Sequence, residues 1–193
     1  LAPEEKEVLQ ELAVIGRQFP VSLVKQVVSQ SETERYRIIA SLQAKEFLYE
    51  QSAIPEVEYL FKHALTQEVV YGTLLQERRK ALHERIGQAL EALYKESLED
   101  HYNELASHYS RSANSEKAVE YLQLAGQQAV QRSADAEALR FLTTALEVLK
   151  TFPDTPLRAR QELTLQLTLG PPLMAIKGYG VPEVEATYRR ARE

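Results

Sequence analysis

Two stretches in the second half of the chain repeat one another. Ala118, Tyr121, Leu122 and Ala125 recur twenty residues later as Ala138, Phe141, Leu142 and Ala145. The spacing i, i+3, i+4, i+7 lays each set along one face of a helix. Small residues at both ends of each set let helix axes approach, while the aromatic and the leucine fill the space between them. One such helix cannot bury its apolar face alone, so the pattern demands stacking in series. Helices are predicted at about 101–111, 115–132 and 135–151, and the few residues between them force antiparallel neighbours. Pro153 and Pro156 bracket a break, after which Leu157–Leu169 reads as another amphipathic helix. Gly170-Pro171-Pro172 is expected to interrupt the chain, and Gly178–Pro182 to turn it into a last helix.

The first half follows different rules. Pro3 stands at a helix-opening position, with Val8, Leu9, Leu12 and Ile15 on one face and Gly16 at the end. Phe19-Pro20 marks a bend, and Val21–Val28 is a second helix with Leu23, Val24, Val27 and Val28 inward. Ser31 to Thr33 then cap a third, Glu34–Gln43, that is expected to bury Tyr36, Ile39 and Leu42. Phe47–Glu50 and Val57–Phe61 are short β-rich runs separated by the turn Ser52–Pro55. Three helices followed by a hairpin is the order of a winged helix. Two helices come next, Ala64–Leu75 and Gln76–Tyr94, the second striped by Leu82, Ile86, Ala89, Leu90 and Leu93. The acidic, serine-containing stretch Lys95–Asp100 is the expected boundary, giving a winged-helix-like module over 1–95 and a helical-repeat module over 96–193. The predicted class is mostly α, with one small β-hairpin.

Composition narrows the chemistry. The absence of cysteine removes disulfides, thiolate metal sites and thiol nucleophiles together. No apolar run approaches the roughly 18 residues of a membrane span and no signal segment opens the chain, so a cytoplasmic protein without membrane contact is expected. Basic residues are outnumbered 11 to 14 up to position 94 and 12 to 14 beyond it, which is not the basic body of a nucleic-acid binder. Leu1 in place of a methionine, and Glu193 inside an apparent helix, suggest an excised piece of a longer polypeptide.

No catalytic constellation emerges. None of the seven glycines opens a loop ending in Lys-Ser/Thr, and no serine sits in a Gly-x-Ser-x-Gly turn. His101, Glu104 and His108 share one helix face in a spacing that suits zinc, but three ligands without a second cluster read better as surface and packing residues. A DNA-binding winged helix is the alternative function. Its recognition helix would offer Arg35, Arg37 and Lys45 beside Glu32 and Glu34, whereas the hairpin carries Glu46, Glu50, Glu56 and Glu58 before the first cation, Lys62. Those carboxylates oppose the counterion release that drives DNA binding. Arg78, Arg79, Lys80 and Arg85 alternate with Glu77 and Glu84, the pattern of a solvated, ion-paired helix face. His63 ends a strand and precedes a helix N-terminus, whose unpaired amides and dipole attract anions. Two readings of it stand: a donor to phosphate, or a histidine packed at the hairpin–helix junction and satisfied by backbone.

The segment FKHALTQEVVYGTLLQERRKALHERIGQALE resembles the winged-helix region behind the nucleotide-binding core of signal-transduction ATPases with numerous domains. The segments from Glu104 to Leu139 and from Arg160 to Glu193 resemble the tetratricopeptide-type region that follows in the same proteins. One helix per twenty residues is longer than the roughly 34-residue hairpin of the standard repeat allows, so the match is degenerate. The bacterial branch of that family often carries class III adenylate or guanylate cyclase, kinase or transcription-regulator domains elsewhere. The resemblance implies a switch in which ADP between the core and the winged helix holds the protein closed, and ATP releases it. It also implies that His63, within Phe61-Lys62-His63-Ala64-Leu65, occupies the place of a phosphate-touching histidine; Ala64 departs from the aspartate found there in relatives. His83 and His108 fall at recurrent positions and read as structural. The expected function is therefore a non-enzymatic regulatory scaffold holding no cofactor itself, with ADP or ATP in the parent protein. Its expected partners are a neighbouring nucleotide-binding domain, a protein or peptide, or another copy.

Overall fold

The structure, a computed structural model, describes residues 1–192. It is mostly α, and it divides into two compact units between Ser97 and Leu98.

The first unit is built around helix α1 (Pro3–Ile15). Val8, Leu9, Leu12, Ala13, Val14 and Ile15 are all buried, so the helix is apolar on nearly every side at its C-terminal end. Such a helix belongs at the centre, and α1 is packed by three others. These are α3 (Glu32–Ala44), α4 (Ala64–Gly72) and α5 (Gln76–Leu93). Helix α2 (Val21–Val27) rests on α5 and buries Leu23, Val24 and Val27. Ser31 caps α3, accepting the Glu34 amide at 3.4 Å.

Strands β1 (Gln18–Pro20), β2 (Leu48–Gln51) and β3 (Glu58–Phe61) form one antiparallel sheet in the order β1-β3-β2. The expected bend at Phe19-Pro20 is thus a third strand. Pro20 has no amide to give, and an edge strand is where that costs nothing. Phe19 packs edge-to-face on Phe61, ring centres 6.1 Å apart, which ties the added strand to the core. Tyr36 was expected inside and is 50% exposed. It lies roughly 120° around α3 from Leu42, outside the arc of Ile38, Ile39 and Leu42 that meets α1.

In the second unit a 3₁₀ turn (Leu98–His101) leads into α6 (Tyr102–Tyr109), α7 (Ser115–Gln131), α8 (Asp135–Leu149), α9 (Pro156–Lys177) and α10 (Pro182–Arg192). Each helix packs against the next, and α7 also reaches α9. All eight repeat residues, from Ala118 through Ala145, are buried. Tyr109 of α6 stacks on Tyr121 of α7 at 5.4 Å with the rings nearly parallel.

The expected interruption at Gly170-Pro171-Pro172 does not occur. Helix α9 runs through it, although two prolines withdraw the amides that the Leu167 and Thr168 carbonyls would accept. Burial on both sides outweighs that loss. Leu165, Leu169, Pro172 and Leu173 stay on one inward row, and Gly170 lies directly against Tyr188 of α10.

Candidate functional site

The candidate site is the junction of β3 and α4. Strand β3 is the central one of the sheet, held on both sides, and Lys62 extends its pairing by donating to the Phe47 carbonyl at 3.0 Å. The chain leaves the sheet at His63, still extended (φ −128°, ψ 129°), and His63 is the N-cap of α4. Its carbonyl accepts the amides of Thr66 and Gln67, at 3.0 and 3.4 Å. The Ala64 and Leu65 amides open the helix without an intrahelical acceptor.

The imidazole of His63 is exposed and makes no hydrogen bond within the described residues. The buried, backbone-satisfied histidine considered from sequence is therefore ruled out. The central strand of the sheet leads directly to the ring, and nothing among the described residues bonds it.

Helix α4 contains no fully buried residue. Polar bonds secure much of its inner side. Gln67 donates to the Ala13 carbonyl at 2.6 Å, and Gln10 donates to the Thr73 hydroxyl at 2.9 Å. At its far end the Tyr71 hydroxyl lies 3.1 Å from His83 Nε2, and the Arg79 guanidinium sits 4.7 Å above the Tyr71 ring. His83 is buried, as a structural histidine should be. The outer side is open: Leu65 is 69% exposed and Val69 58%, with Glu68 exposed beside them, and Leu75, at the start of α5, is 80% exposed. Leu65 and Val69 thus expose apolar surface on the helix that starts at the unbonded imidazole. Sequence reasoning missed it, because the run ALTQEVVYGTLL has apolar residues all round and periodicity alone cannot say which face packs.

The other candidates are placed differently. Arg35 donates to the Val28 and Gln30 carbonyls, Arg37 bonds Glu34 and Glu4, and Lys45 bonds both oxygens of Glu5. Every cation that α3 would offer to DNA is engaged inside the chain. Of the hairpin acids, Glu56 binds the amide and hydroxyl of Ser22, Glu58 accepts from Gln18, and Glu46 pairs with Lys62 at 3.0 Å. The basic row of α5 does not pair only along its own helix. Lys80 meets Glu77 at 3.0 Å, but Arg78 reaches Glu7 at 2.8 Å and Arg85 reaches Glu11 at 2.6 Å, both on α1.

His101 Nδ1 stands 3.4 Å from Glu104, whereas His108 is buried. Among the described residues no three His, Cys, Asp or Glu side chains gather in a way that could hold a metal ion. No described helix is long and apolar enough to cross a membrane.

The chain is similar to an uncharacterised protein of Rhizobium meliloti (strain 1021), with 26% identity over 189 residues. The match covers 97% of this chain but only 18% of that protein's length. No family model matches the chain, and no solved structure matches it at a significant level.

Proposed function

We propose that this chain is a non-enzymatic regulatory scaffold from a nucleotide-switched signalling ATPase of the multidomain class, acting in the cytoplasm. Residues 1–97 serve as a winged-helix-like head, and the helices beyond serve as a tetratricopeptide-like surface for a protein or peptide partner. The head docks on a neighbouring nucleotide-binding domain through α4, with His63 donating a hydrogen bond to a phosphate of ADP held there. Nucleotide exchange then frees the head and passes the change to the repeat.

The observation that carries this reading is the pairing of an unbonded, exposed imidazole at a helix N-terminus with the exposed apolar side chains of Leu65 and Val69 on the same helix. An imidazole and free amides suit an anion, and exposed apolar side chains beside them suit a protein wall around it. A similar sequence within a much longer protein fits an element that works with other domains. The engagement of Arg35, Arg37 and Lys45 favours this over the DNA-binding alternative.

The test is ADP retention by the full-length parent protein. His63→Ala should speed ADP release by about tenfold, the value of one hydrogen bond to a charged group. Unchanged release, with the variant folded, would reject the nucleotide-sensing role.

A further inference from the structure

Helix α4 is attached to the first unit differently from its neighbours. Helices α1, α2, α3 and α5 each bury at least three apolar side chains, whereas α4 buries none completely. Its side-chain hydrogen bonds to the rest of the unit gather in its second half. Gln67 Nε2 donates at 2.6 Å to the Ala13 carbonyl, one of the last in α1 and so without an intrahelical donor. Gln10 Nε2 donates to the Thr73 hydroxyl, which itself donates to the Val70 carbonyl at 2.6 Å. The Tyr71 hydroxyl meets His83, and Arg79 donates to the Gly72 carbonyl at 2.8 Å. None of these bonds lies deep; each is part-buried or exposed. The last turn is open on one side, since a methyl group on Gly72 would meet no atom within 4 Å. The flanks, by contrast, are anchored: Phe61 is buried at the end of β3, and Leu74 is buried just beyond α4.

We propose that α4 is a strap that opens from the head as one unit, hinged at His63 and Thr73, while α1, α3, α5 and the sheet stay folded. An element held by apolar burial forfeits that burial in full when it leaves, but water takes over most of a hydrogen bond. The groups of α1 that grip α4, the Gln10 amide and the Ala13 carbonyl, are ones that water can serve. Helices attached in this way make up the low-stability end of a fold and open locally before it unfolds as a whole. Opening carries Leu65 and Val69 out of line with the strand end that precedes His63. A partner that grips those side chains therefore holds α4 shut, and its departure frees the helix. The inference goes beyond the docking reading and stands without it, because the opening belongs to this chain alone.

The experiment is amide hydrogen exchange of the native 193-residue chain, read by NMR and corrected for intrinsic rates. The amides from Val69 to Thr73 should exchange about a hundredfold or more faster than those of Leu12 in α1 and Ile86 in α5, with little dependence on low concentrations of urea. Tyr71→Phe combined with Gln67→Ala should speed exchange in α4 about tenfold or more, the value of two neutral hydrogen bonds. Ile38→Val trims one methyl from a fully buried residue of α3. It should speed exchange at Leu12 and Ile86 about fivefold and leave α4 unchanged, because the opened state keeps that part of the core. Protection in α4 equal to that of α1 would overturn the proposal. So would an α4 that follows Ile38→Val, or one indifferent to the double variant. A helix that never opens would still leave docking through Leu65 and Val69 standing, and ADP release unchanged by His63→Ala would leave the strap standing.

Discussion

A methyl group placed on Gly126 would stand 2.6 Å from Cδ2 and 2.7 Å from Cγ of Leu142, on the facing helix. Gly126 belongs to α7 and Leu142 is a repeat position of α8, fully buried. Glycine inside a helix is ordinarily a cost of up to about 1 kcal/mol relative to alanine. Here it is what lets the two axes close on one another.

Gly126→Ala should therefore destabilise the second unit despite its better helix propensity. Overpacking of about 1–3 kcal/mol, less the helical gain of about 1 kcal/mol, leaves a net loss near 1 kcal/mol. Chemical denaturation monitored by circular dichroism measures it. A variant more stable than the parent would mean that Leu142 has room to move.

Acid should weaken the first unit through Glu5. Lys45 hydrogen-bonds this carboxylate first of all, with Ser41 and the Ala2 amide adding to it, and together they lower its pKa from 4.5 to about 2. The ionised form is thus the one the fold favours. Its stabilisation is complete above pH 4.5 and is lost as the pH falls towards 2. Urea midpoints across that window should fall less steeply in Glu5→Gln than in the parent. Parallel curves would remove Glu5 from the account.

Glu11 is the reverse case on the same helix. Burial raises its pKa, opposed chiefly by the hydrogen bond from Arg85. Removing that cation leaves a buried carboxylate alone and pushes the pKa further up. Arg85→Ala should cost about 2 kcal/mol at neutral pH, less than a fully buried pair would lose because Arg85 is partly exposed. The sign then follows: the deficit should shrink as the pH is lowered and Glu11 takes up its proton. Glu11→Gln should be nearly neutral. Equal losses from the two substitutions would contradict this assignment.

The outer row of α4 should prove indifferent for folding and decisive for docking. Leu65→Glu with Val69→Glu should shift stability by no more than about 0.5 kcal/mol, since both side chains are exposed. In the parent protein the pair should release ADP faster, as His63→Ala does. A folded double variant with normal ADP retention would place the docking surface elsewhere.

Several of these relationships could be read directly from the chain. The Ala-aromatic-Leu-Ala sets marked α7 and α8 because a helix that buries small residues must do so at a fixed spacing. Ser31 announced the start of α3 through local capping chemistry. The strand-to-helix step at His63 was legible for the same reason, since it depends on a few adjacent residues.

Other features were settled by partners far away in sequence. Tyr36 looked like a core residue until α1 selected a different arc of α3. Phe19 and Pro20 became a strand because β3 had an open edge for them. Arg78 and Arg85 found their acids on α1 rather than on their own helix, and the prolines of α9 were overridden by burial of the leucines around them.

By itself the sequence determined helix content, the repeat and the strand–helix junction, because capping, periodicity and backbone preference act over only a few residues. Tertiary structure alone decided which faces were buried, which charges met and which were left over. Those outcomes depend on the approach of distant segments, and short-range patterns carry no information about that.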